Sequence, residues 1–131
     1  MADNQPTSGA VAGGLRLVLQ LEGLALFALS AGAYFWLVAP WWLFLILFLA
    51  PDLSFLAYLA GPAAGACAYN AAHSTIGPLA LLAFGTLAGA PLAISLALIW
   101  AAHVGFDRAL GYGLKYATAF GHTHLGRIGR R

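Results

Sequence analysis

Between Leu17 and Trp100 the chain carries two formal charges, Glu22 and Asp52, and no lysine or arginine. A run of that length cannot make a water-facing surface, because soluble domains use about 25% charged residues. The whole chain of 131 residues is 62% hydrophobic and 8% charged. It reads as an integral membrane protein whose first partner is the lipid bilayer. The basic residues Arg16, Arg108, Lys115, Arg127, Arg130 and Arg131 all lie outside that interval. The net charge of +2 is therefore a topology signal and not a nucleic-acid footprint. Cys67 is the one cysteine, which excludes an intrachain disulfide, and it reads as a small apolar packing residue.

A transmembrane helix needs about 20 apolar residues. Four stretches meet that length. The first is Leu15–Val38, with Arg16 placed to snorkel and Tyr34 and Trp36 as interface aromatics. The second, Trp41–Leu59, is interrupted by Pro51, which removes a backbone hydrogen bond where Asp52 follows. This stretch could span or turn back as a re-entrant hairpin. The third, Ala63–Phe84, begins with small residues suited to close helix approach, carries Asn70, His73, Ser74 and Thr75, and meets Pro78 a turn later. The fourth runs from about Leu92 to Leu110. The expected architecture is all-α: a disordered tail over 1–14, a bundle of about four transmembrane helices over 15–110, and a basic, glycine-rich interfacial tail over 111–131. Even span number and the terminal basic residues put both termini in the cytoplasm.

The polar residues fall at one depth. At a rise of about 1.5 Å per residue, Glu22, Asp52, Asn70, His73 and His103 each lie roughly 10–15 Å in from the same side, with Asp107 one turn shallower. Asn70 and His73 are i and i+3, and His103 and Asp107 are i and i+4, so each pair shares a helix face. Ionisable groups inside a bilayer are costly and mark functional sites. Helix bundles that hold metals project carboxylates and histidines inward from several helices. Imidazole with carboxylate suits zinc, iron or manganese. The expected site is thus a divalent metal held by Asp52, His73, His103 and Asp107, with Glu22 as a further ligand or general base. Structural roles compete with each assignment: Glu22 paired with Arg16, Asp52 capping the half-helix after Pro51, His73 as a satisfied interior histidine, and His103, Asp107 and Arg108 as an interfacial charge cluster. His122 and His124, two apart in a loop, carry little metal signal. Tyr112, Lys115 and Tyr116 read as interface anchors, or as a lid or lipid-headgroup contact.

The segments APDLSFLAYLAGPAAGACAYNAAHS, ALIWAAHVGFDRALGYGLKY and FGHTHLGRIG resemble the bacterial membrane family known as domain of unknown function 4260, over most of the chain after about Leu15. The resemblance implies a small multi-helix inner-membrane protein. The Pro51-Asp52 pair followed by a separate histidine segment is also loosely similar to small membrane-bound metal-dependent hydrolases, whose fuller histidine motif this chain lacks. Three functions fit the residues. One is a membrane-embedded metal-dependent enzyme acting on a lipid or another apolar substrate. Another is a non-catalytic accessory subunit packed against other membrane subunits. The last is a proton-conducting or ligand-binding element using the same residues as a relay.

Overall fold

The computed structural model describes residues 9–37, 40–118 and 120–128. The expected tail up to Ser8, and Arg130 and Arg131, lie outside the described residues. The chain is an all-α membrane bundle. It runs α1 (Gly13–Leu37), α2 (Trp41–Leu47), a 3-10 segment (Ala50–Ala60), α3 (Pro62–His73), α4 (Ile76–Ala88) and α5 (Pro91–Leu110), followed by β1 (His122–Thr123) and β2 (Gly126–Arg127). Three stretches are long and apolar enough to cross a membrane: Gly13–Leu37, Trp41–Ala60 and Pro91–Leu110. The pair α3 and α4, bent by 40°, makes a fourth if counted as one span. Large side chains such as Leu29, Trp36, Leu59 and Leu87 are exposed along these helices, as a lipid-facing surface requires.

Both expected breaks are present. α2 ends at Leu47, and the chain resumes as a 3-10 helix with Pro51 in its first turn. Eleven residues is long for a 3-10 helix, a form usually confined to three or four residues and often found at functional hinges. The third stretch breaks at Ser74 and Thr75, where the backbone of Ser74 is extended. Pro78 sits in the first turn of α4, where its missing N–H is tolerated.

α5 is the axis of the bundle. It packs against α1 on one side and α4 on another, and α3 packs on the 3-10 segment. The α1–α5 crossing is made by glycines. A side chain at Gly23 would collide with Arg108 Cβ and the backbone of Gly105, and one at Gly105 would stand 2.7 Å from the Gly23 carbonyl oxygen. The backbones therefore touch, in the small-residue manner of membrane helix pairs. Further along the same pair, Tyr34 is fully buried with Leu98 and Ile99, and its hydroxyl donates to the Pro40 carbonyl at 2.8 Å, closing the α1–α2 turn.

Cys67 is exposed and is not a packing residue. The buried face of α3 is Gly65, Ala66, Tyr69 and His73, and Cys67 falls off it. The residues after Leu110, expected as a loop and tail, fold back over the end of the bundle. Gly111, in the left-handed region at φ 90°, ends α5. The two short strands pair antiparallel, His122 with Arg127 and Thr123 with Gly126. Lys115 bridges to Thr123, and Thr123 and Leu125 are fully buried.

Candidate metal centre

Three separate stretches bring the site together. The restart of the chain after the α2 break carries Asp52. The last residue of α3 before its break is His73. The final turns of α5 carry His103 and Asp107. Among the described residues, one group of His, Cys, Asp and Glu side chains converges: Asp52, His73, His103 and Asp107 each offer one ligand atom, and all four atoms lie within 4.8 Å of one another.

Both imidazoles present Nε2 to the centre, 3.1 Å apart. Asp52 Oδ1 stands 3.2 Å from His73 Nε2 and 3.3 Å from His103 Nε2. Asp107 Oδ2 stands 3.5 Å and 3.4 Å from the same nitrogens. These five separations of 3.1–3.5 Å, with all four atoms within 4.8 Å of one another, gather two nitrogens and two carboxylate oxygens around one point, the ligand types and ligand number of a four-coordinate divalent ion. The two histidines are buried, at 3% and 1% exposure, whereas the Asp52 side chain is 34% exposed and that of Asp107 16%.

The rings are held from behind. His73 Nδ1 donates to the Tyr69 carbonyl at 2.9 Å, which leaves Nε2 bare toward the centre, the outer-shell arrangement typical of ligating histidines. The Tyr69 ring stacks on His73 at 3.8 Å and 11°. His103 meets the Phe48 ring edge-on at 5.4 Å, and its Nδ1 is buried with no hydrogen-bond partner. The break after His73 frees carbonyls that other helices satisfy. Arg108 Nη2 donates to the His73 carbonyl at 3.0 Å, and Trp100 Nε1 donates to that of Ala72. A cation there also answers the negative end of the α3 dipole.

The hairpin docks onto this framework. The Asn70 amide works as one more strand rung: its Nδ2 donates to the Lys115 carbonyl at 2.8 Å, and its Oδ1 accepts from the Lys115 N–H at 2.6 Å. His124 Nδ1 accepts from the Leu114 N–H at 2.8 Å, and its Nε2 lies 3.1 Å from Arg108 Nη1. Burial, and then the adjacent Arg108 charge, hold the His124 imidazole below its ordinary range.

Two cavities flank the four residues. One, about 330 Å³, is lined by Asp52, Tyr69, Asp107, Tyr112, Lys115 and Phe120 among others. The other, about 240 Å³, is lined by Leu47, Pro51, Ala72, Ile99 and Trp100 and is almost wholly apolar. One helical turn on either side of His103, Ile99 faces the apolar cavity and Asp107 the polar one. Both carboxylates open onto the polar cavity, and neither histidine lines it.

Glu22 is not part of the group. It is exposed on α1. Its depth is right but its azimuth is wrong, because the neighbouring Gly23 is the residue pressed against α5. Asn70 shares a face with His73, yet its side chain holds the hairpin. His122 is bonded from Nδ1 to Thr118 Oγ1 at 2.8 Å, away from the group. Lys115, read from the sequence as an interface anchor or as part of a lid or lipid-headgroup contact, is buried within the protein at 5% exposure. The available signal was the run of aromatics around it, Tyr112, Tyr116 and Phe120.

No curated protein and no solved structure matches the chain. Residues 16–128 match the family described as Domain of unknown function (DUF4260). With nearly all of the bundle and the hairpin inside that match, the chain belongs to this family.

Proposed function

We propose that the chain binds a divalent metal ion through His73, His103, Asp52 and Asp107, and that it is a membrane-embedded, metal-dependent enzyme acting on a lipid or another apolar substrate. The observation that carries the metal is the convergence of four ligand atoms from three stretches of chain, all within 4.8 Å of one another. The donor set, imidazole with carboxylate, suits zinc, iron or manganese. A divalent charge would also offset the cost of two carboxylates held this close inside a membrane protein.

What supports an enzyme is access. The carboxylate edge of the group opens onto a cavity of about 330 Å³, within the range of small-ligand sites, about 300–1,000 Å³. A metal ion bound there supplies Lewis acidity toward a carbonyl or phosphoryl oxygen. The residues of the chain orient it: Tyr69 fixes the His73 ring, Phe48 holds His103, and Arg108 closes the end of α3. The apolar cavity across the histidine pair suits the hydrocarbon part of a substrate. We further propose a bacterial inner-membrane location with both termini cytoplasmic, supported by the basic residues near both ends of the chain.

The test is metal content of detergent-purified protein. Wild type should retain close to one divalent ion per chain, and a variant combining His73→Ala and His103→Ala should retain almost none. Stoichiometric metal in the double variant, or none in wild type reconstituted with zinc, iron or manganese, would end the reading. The polar group would then specify packing, and the accessory-subunit reading would lead.

A further inference from the structure

We propose that the polar cavity recognises a phosphate monoester, with Lys115 as the anion-binding residue; the inference rests on the metal reading above. The argument begins with charge. Around the site stand Asp52 and Asp107, Arg108 against the His73 carbonyl, and Lys115 lining the same cavity as both carboxylates. With neutral imidazoles, two negative groups balance two positive ones. A divalent ion then leaves two surplus positive charges beside a bilayer interior, where uncompensated charge is expensive. The missing partner is an anion of charge near −2. A phosphate monoester carries about −1.5 to −2 at pH 7.

Lys115 is built to receive it. Its Nζ lies 3.4 Å from the Phe120 ring centroid, 4.7 Å from that of Tyr69 and 5.7 Å from that of Phe55. Three aromatic faces strip water from the ammonium while leaving it charged. Among the described residues its side-chain hydrogen bond goes to the Phe120 carbonyl, at 2.8 Å. An ammonium has three donors, so two remain for a ligand. The backbone of Lys115 is clamped on both sides by Asn70, which fixes the position of the ammonium relative to α3 and His73. A buried lysine lowers stability, and its place beside the carboxylate edge suits a binding group. The phosphate could be carried by a membrane lipid headgroup or by a soluble molecule; the recognising chemistry is the same.

Linkage makes this measurable without a known reaction. If metal and phosphate bind the same site cooperatively, each raises the affinity for the other by the same factor. Zinc affinity would be measured by chelator competition on the full-length protein in nanodiscs. One set contains phosphatidylcholine with phosphatidic acid, which bears a phosphate monoester. A second contains phosphatidylglycerol at matched surface charge, which controls for metal ions drawn to any anionic surface. A third contains phosphatidylcholine alone with inorganic phosphate in the buffer.

Zinc should bind about tenfold more tightly in phosphatidic acid discs than in phosphatidylglycerol discs. The same gain with inorganic phosphate identifies a soluble source, and its absence there a lipid one. In Lys115→Met the phosphatidic acid to phosphatidylglycerol ratio should fall toward one, and Lys115→Arg should restore it. Zinc binding with equal affinity in all three settings overturns the inference and leaves the metal reading intact. A full ratio in Lys115→Met removes Lys115 as the anion residue. Should Lys115→Met fail to fold, the wild-type comparison still decides. No zinc binding under any condition defeats the metal reading itself, and the inference with it.

Discussion

His73 and His103 face each other Nε2 to Nε2 at 3.1 Å. Two bare imidazole lone pairs repel at that distance, so a proton or a cation has to lie between them. In the metal-free protein one of the two nitrogens carries that proton, with Asp52 Oδ1 within 3.3 Å of both. A metal ion must displace it.

Metal retention should therefore be strongly pH-dependent. Protons compete for imidazole below its ordinary pKa of about 6.5. Dialysis of zinc-loaded protein at stepped pH, followed by metal analysis, should show retention at neutral pH and loss on moving to about pH 5. Retention unchanged across that range would argue that the histidines are not ligands.

The glycine crossing of α1 and α5 gives a contrast within one helix pair. Gly105→Val should destabilise the protein by about 1–3 kcal/mol, because its side chain would meet the Phe27 and Gly23 backbone. Gly32→Ala, on α1 with nothing within 4 Å of the added carbon, should be stabilising by about 0.5–1 kcal/mol. Thermal unfolding of both variants in detergent would check the pair.

Lys115 carries a pH signature of its own. Burial pushes its ammonium down to about 8 from an ordinary 10.5. Between those values the unfolded chain holds a proton that the folded chain lacks. Unfolding free energy should therefore rise with pH from about 8 to about 10.5. The unfolding temperature of wild type should climb across that window relative to Lys115→Met. Parallel pH profiles for the two proteins would show that Lys115 titrates normally.

Asn70 should control the hairpin. Asn70→Ala removes two hydrogen bonds to the Lys115 backbone, at about 1 kcal/mol each. Hydrogen exchange at the Lys115, Tyr116 and His124 amides should accelerate by one to two orders of magnitude, with the helical core unchanged. Protection equal to wild type would place the docking energy elsewhere, in Leu125 and Thr123.

The spans and their breaks could be read from the sequence because each rests on local chemistry: apolar length, and prolines 51 and 78. The i and i+4 spacing of His103 and Asp107 likewise fixed their common face on α5. Glu22 shows the limit of that reasoning. Counting residues gives depth along a helix but not azimuth, which is set by where α1 meets α5, and Gly23 occupies that line. Asn70 points the same way as His73 but one turn earlier, far enough to reach the hairpin instead. The hairpin itself was hidden because its strands are two residues each and show no alternation. Its stability comes from contacts remote in sequence, with Asn70 and Arg108.

The two broken spans carry one ligand each at their breaks, Asp52 and His73, whereas the unbroken α5 carries the other two. An ion held by all four would be a clasp across two hinges. If the proposed ion is that clasp, losing it should loosen both hinges at once, and the amount of this protein in a cell should then follow the supply of that metal.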